Sequence, residues 1–174
     1  MFAHTWNNIC PKLFTMGARV LVPVASFDPW ARAIARTVVG IESDDSIIVE
    51  LIHIFDDGEK ETIATNLGLG EGASINELST RKSEVIAAAE IFDEAGFDYE
   101  ISGIESEEPG RAILSHSDEK DADRIYMYSR KRSPVGKAVF GSASQDVLSN
   151  ASVPVVILPA SAGISSSDQA TSSD

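Results

Sequence analysis

Strand and helix signals alternate along this chain from residue 19 to residue 158, and this alternation restricts its fold more than any other property. Residues 19–25 (RVLVPVA) are a short apolar, β-branched run, the pattern of a strand buried on both faces. Asp28-Pro29 follows, an acid suited to a helix N-cap and a proline suited to the first helical position. Trp30, Ala33, Ile34, Thr37 and Val38 recur at helical spacing, and Gly40 supplies a stop. Residues 46–55 (SIIVELIHIF) give a second strand. Leu78, Val85, Ile86, Ala89 and Phe92 line one side of a helix ending at Gly96. Residues 97–104 alternate Phe97, Tyr99 and Ile101 with polar residues, as an edge strand does. Pro109 opens a third helix around Ile113 and Leu114. Residues 124–128 and 153–158 are the fourth and fifth strands, with a helix at 142–150 between them.

Such a β-α-β-α-β-α-β-α-β order predicts a single α/β domain: a five-stranded parallel sheet with helices on both faces. In that architecture a ligand lies beyond the carboxyl ends of the strands, where the strand order reverses. The domain is expected over residues 17–160. Residues 1–16 show no clear period, and Met16-Gly17 stands just before the first strand, so the leading segment reads as an unstructured extension and Met16 as an alternative start. The segment 161–174 is Ser-rich, with Ile164 its one large apolar residue, and reads as a disordered tail. Residues 56–74 make a connection longer than the usual upper bound of about 12–15 residues. It reads either as a lid over the crevice or as a mobile loop.

Charge excludes whole classes of partner. The chain has 27 acids against 14 bases, a formal net charge of -13. Phosphate backbones and anionic lipid surfaces repel such a protein, so neither nucleic acid nor membrane is an expected partner. The acids are dispersed, which fits solubility in a salt-rich cytoplasm; a docking surface for a basic partner is the other reading. No apolar run approaches about 18 residues, so no membrane span is expected. Cys10 is the single cysteine, which excludes an internal disulfide and fits a reducing, cytoplasmic setting.

One loop departs from this acidity. Between Arg124 and Gln145 there is no acid, and Arg130, Lys131, Arg132 and Lys137 fall within 129–141. The stretch ends in Gly141-Ser142-Ala143-Ser144-Gln145 at a helix start. Ser142 with Gln145 matches a capping box. The same residues suit an anion, because glycine admits close backbone approach and a helix N-terminus favours negative charge. The two roles are compatible.

The element order, the opening Val22-Pro23-Val24 and the segment from Met127 to Pro159 resemble the universal stress protein family over roughly residues 18–160. The resemblance implies a Rossmann-like, adenine-nucleotide-hydrolase-like fold and a stress-response protein that binds or senses a ligand rather than catalysing a reaction. It also implies ATP or another phosphate-bearing ligand in a crevice formed by Pro23, Val24 and Ala25, by Ile54 and Met127 flanking a base, by Tyr128, Ser129, Arg130, Lys131 and Arg132, and by Gly141, Ser142, Ala143 and Ser144 meeting phosphates. Two departures weaken the site. Nucleotide-binding members carry glycines where this chain has Tyr128 and Lys131, and an aspartate where it has Ala25; only Gly141-Ser142 remains of the glycine signature. The acidity and the Arg-Lys-Arg-Ser-Pro run resemble salt-adapted archaeal members. The resemblance further implies a homodimer formed through the strand 153–158, whose uncovered edge invites pairing.

Other chemistry finds little support. His4, His53 and His116 lack metal-ligand spacing, and His53 within an apolar strand reads as a satisfied structural histidine. No Gly-x-Ser-x-Gly elbow occurs, and the Gly136-Lys137 pair lacks the rest of a phosphate loop. No catalytic and no metal-ligating residues are assigned. The alternative to ligand binding is a dimeric interaction protein that no longer takes nucleotide; an enzyme acting on a phosphorylated or adenylated small molecule stands third.

Overall fold

The computed structural model describes residues 17–24, 26–42, 46–56, 58–66, 73–129 and 141–159. The elements run β1 (Arg19–Pro23), α1 (Asp28–Ile41), β2 (Ile48–Phe55), α2 (Glu59–Asn66), α3 (Ile75–Ser79), α4 (Ser83–Ala95), β3 (Asp98–Glu105), α5 (Pro109–Glu119), β4 (Arg124–Ser129), α6 (Ser142–Asn150) and β5 (Val155–Pro159). The five strands form one parallel sheet in the order β3-β2-β1-β4-β5, as the alternation predicts.

Each sheet face carries its own core. Val20, Val22, Val49 and Leu51 point to one side and meet Ala31, Ile34 and Val38 of α1 and Val85, Ala88 and Phe92 of α4. Leu21, Ile52, Ile125 and Met127 point to the other and meet Ile113 of α5 and Val147 of α6. Successive strand residues alternate between the faces, so one continuous apolar run supplies both cores. α3 reaches the first face at its outer strand. Its backbone lies so close to β3 that a Cβ at Gly103 would fall 2.4 Å from the Ile75 carbonyl oxygen. Gly103 N–H in turn donates to Asn76 Oδ1 at 2.8 Å.

Several local expectations are corrected. α1 is capped at Phe27 rather than Asp28, with Pro29 in its first turn, and Asp28 accepts instead from Ser83 Oγ at 3.0 Å. The helix runs through Gly40 to Ile41, because buried Val38 holds its last turn against the core and outweighs glycine's weak propensity. Leu78 belongs to the separate helix α3, and Ile86 is exposed on α4 rather than lining the core. Thr80–Lys82 break the periodicity, a turn that helical spacing alone passes over. Gly96 does close α4, in the left-handed conformation at φ 75° that favours glycine. The connection after β2 holds α2, and α3 begins directly after it at Ile75. Its remainder at residues 67–72 lies outside the described residues, as do Cys10 within 1–16 and the tail beyond Pro159.

Candidate functional site

The chain runs outward from β1 to β2 and β3, then crosses back to β4 and β5, so the strand order reverses between β1 and β4. Their pairing joins Val20 to Arg124 and Leu21 to Ile125, at the amino-terminal part of β1. Beyond it, Val22 and Pro23 keep register with Leu51 and Ile52 of β2, and Val24 N–H donates to the Ile52 carbonyl at 2.9 Å. The crevice expected of such a sheet therefore begins beside Pro23 and Val24.

Three of the expected site residues share one face at this end. Ile54 and Met127 pack with the α5–α6 core, and Pro23, two residues after Leu21, projects to that side by strand alternation. α6 begins on the same side. Gly141 is its N-cap, in extended backbone and with no side-chain cap, so the expected capping box between Ser142 and Gln145 is not formed. Gln145 N–H instead donates to the Gly141 carbonyl at 2.9 Å. The N–H groups of Ser142, Ala143 and Ser144 precede that first helical bond, and they are the groups through which a helix start meets an anion. Gly141 and Ser142 are exposed, Ala143 is half-buried and Ser144 is buried.

Other residues turn away from the crevice. Val24 joins the core on the α1–α4 face. Tyr128, where the resemblance implies a glycine, lies on that face too. Its ring stacks on Trp30 of α1 with centroids 5.6 Å apart and planes at 19°, leaving it 9% exposed. Burial pushes its phenol above the ordinary value. Ser144 Oγ donates to the Tyr128 carbonyl at 3.3 Å, tying the start of α6 to the end of β4. Ala25, Arg130, Lys131 and Arg132 lie outside the described residues, as does the Ser129 side chain.

Two buried polar clusters lie one on each face of the sheet, and sequence assigned neither, although it named His53 and His116. Glu50, within β2, is fully buried on the α5 side. Its Oε2 accepts from Arg19 at 2.8 Å, and its Oε1 accepts from Ser102 at 2.7 Å and His116 Nε2 at 3.0 Å. Lys120 Nζ stands 3.6 Å away. Burial pushes this carboxyl up, but the hydrogen bonds from His116 and Ser102 and the charge of Lys120 outweigh it and hold it at about 2. A groove of about 520 Å³ between β3 and α5 opens onto Ser102, His116 and Lys120. The signal was legible: an acid inside an eight-residue apolar run must find partners.

The second cluster surrounds His53, 1% exposed on the opposite face. Its Nε2 lies 3.5 Å from Glu59 Oε1 and its Nδ1 3.8 Å from Glu84 Oε1, and neither nitrogen forms a hydrogen bond. It is a structural histidine, but not a satisfied one. Lys82 Nζ takes the two carboxylates, at 2.7 Å from Glu59 and 3.2 Å from Glu84. Among the described residues no group of His, Cys, Asp and Glu is arranged to hold a metal ion, and no helix is long and apolar enough to cross a membrane.

Comparison with known proteins agrees with this architecture. A universal stress protein from Archaeoglobus fulgidus is 26% identical, covering 80% of this chain and 97% of that one, with a TM-score of 0.60. The Archaeoglobus fulgidus universal stress protein in complex with dAMP superposes with a TM-score of 0.58 at 19% identity, covering 82% of this chain and 98% of that one. A universal stress protein in complex with cAMP does so with a TM-score of 0.57 at 18% identity, covering 84% of this chain and all of that one, 100%. No curated protein matches the chain. The sequence profile of the Universal stress protein family matches residues 16–159, most of the chain and every strand of the sheet, and the chain belongs to that family.

Proposed function

We propose that this chain is a cytoplasmic stress-response protein that binds a phosphate-bearing small molecule, weakly and with little preference for the base, and does not catalyse a reaction on it. The observation that carries this reading is the convergence of Pro23, Ile54 and Met127 on one face with the uncapped start of α6. Apolar residues at the carboxyl ends of the strands together with exposed Gly141 and Ser142 at the start of α6 suit a ligand with a flat apolar part and an anionic part. The dAMP and cAMP complexes of other family members support the ligand class. Arg130, Lys131 and Arg132 add positive charge that attracts phosphate without selecting a base. Ala25 removes a carboxylate acceptor, and one charge-assisted hydrogen bond is worth about 1.5–3 kcal/mol, or ten- to a hundredfold in affinity.

Calorimetry with ATP, GTP and inorganic triphosphate tests the proposal. The parent chain should bind all three weakly and similarly, Ala25→Asp should gain selectivity for a nucleoside, and joint replacement of Arg130, Lys131 and Arg132 should abolish binding with circular dichroism unchanged. Tight, adenine-selective binding by the parent would refute it. A second reading, an interaction protein without nucleotide, is favoured by one observation: β5 pairs only with β4, and its other edge is uncovered among the described residues. Absence of binding to all three ligands together with a dimer in solution would select that reading.

A further inference from the structure

We infer that His53, sealed beneath α2 among Glu59, Lys82 and Glu84, makes the attachment of α2 acid-sensitive, so that uptake of a proton by the imidazole releases this helix from the strand ends.

α2 is held to the domain by charge more than by apolar contact. Among its described side chains none is buried; Glu59, Lys60 and Ile63 are half-buried and the rest are exposed. Its ties are ion pairs: Lys60 to Glu105 at the end of β3, 3.1 Å, and Glu59 to Lys82 ahead of α4, 2.7 Å. Glu59 is thus the point where α2 closes over His53.

The imidazole is buried with neither nitrogen bonded, which is a costly way to place a polar ring. The groups facing it are Glu59 from α2, Lys82 and Glu84 from the start of α4, and the Phe55 ring of its own strand at 4.6 Å between centroids. On β3 its paired residue is Gly103, which brings no charge. Two carboxylates beside an imidazole would ordinarily favour the imidazolium. Here Lys82 already engages both, and its own charge opposes a second cation. Burial first and then Lys82 hold His53 below its ordinary value, against the opposing influence of Glu59 and Glu84.

The sign follows from proton linkage. With α2 docked, His53 takes a proton less readily than a free imidazole; with α2 undocked, the ring meets water and titrates near its ordinary value of about 6.5. Falling pH therefore favours the undocked form. Were the docked ring never protonated, the opening equilibrium would rise by about 30-fold between pH 8 and pH 5. That is the upper bound, and a several-fold rise is the expected result.

Amide hydrogen exchange of the full chain between pH 8 and pH 5, corrected for intrinsic rates, reads the effect. The α2 amides, Thr62 among them, whose N–H donates to the Gly58 carbonyl at 3.0 Å, should lose protection as pH falls, while β2 amides keep theirs. His53→Gln should make α2 exchange independent of pH. Lys82→Gln, at a side chain only partly buried, leaves the carboxylates to the imidazole and should flatten the response even if His53→Gln does not fold. Flat α2 protection in the parent overturns the inference, and so does an undiminished pH response in either folded variant.

Discussion

Replacing Glu50 by glutamine keeps the shape of the side chain and removes its charge, which isolates what that buried carboxylate contributes. Its oxygens accept from Arg19, Ser102 and His116 at 2.7–3.0 Å with no exposure to solvent. The folded carboxyl sits at about 2 against an ordinary 4.5. At about 1.4 kcal/mol per unit, this difference corresponds to about 3 kcal/mol of stability at neutral pH. Because the folded value is depressed, this stability is complete above about 4.5 and is lost as pH falls through about 2. Glu50→Gln should lower unfolding free energy by about 3 kcal/mol at pH 7, about 6–12 °C in melting temperature for a domain of this size. The gap should narrow to about 1.5 kcal/mol by pH 3, since the parent loses there what the variant never had. Urea denaturation of both proteins at pH 7, 5 and 3, followed by circular dichroism, measures it. A gap below about 0.5 kcal/mol at pH 7, or one constant from pH 7 to pH 3, would refute the reasoning.

Three further outcomes are expected. Gly103→Ala should destabilise the domain by about 1–3 kcal/mol in urea, since its Cβ would meet the α3 backbone and force a shift; an unchanged midpoint would show that α3 yields freely. Light scattering should give twice the 18.6 kDa chain mass, through the edge of β5 that no strand covers among the described residues, and a monomer across micromolar concentrations and high salt would end that expectation. The melting temperature should rise from low to molar potassium chloride, as screening shortens the self-repulsion of a net charge of -13; a flat or falling trend would detach the acidity from salt adaptation.

The alternation of strands and helices was legible because it depends on local pattern. Central parallel strands buried on both faces are mostly apolar, and the runs at 19–25 and 46–55 are so apart from Arg19, Ser46, Glu50 and His53, while 153–158 is a short β-branched run at the sheet edge. Side-chain caps were less legible: Asp28 and Ser142 are good cap residues, yet Asp28 is taken by Ser83 of another helix and α6 starts one residue past its glycine cap. α2 escaped because its apolar residues make no stripe; ion pairs with distant residues hold it, and no window of sequence shows those. In the candidate site, sequence named Pro23, Ile54, Met127 and Ser142, and the sheet brings them to one end. It could not tell which way Tyr128 turns. Nor did it unite Glu50 with His116, 66 residues away, or His53 with Glu84.

Tyr128 is built into the domain so that glycine could not simply take its place. The aromatic ring has become part of the wall between β4 and α1, stacked on Trp30 and almost sealed from water. Glycine at this position would leave a ring-sized void, at about 3–5 kcal/mol for a large aromatic side chain, and would add the entropic penalty of about 0.5–1 kcal/mol for glycine in a strand. Against a total stability of about 5–15 kcal/mol, this single change would remove a large part of the domain's stability. An engineer placing glycine at position 128 would first have to refill the space beside Trp30 from another position.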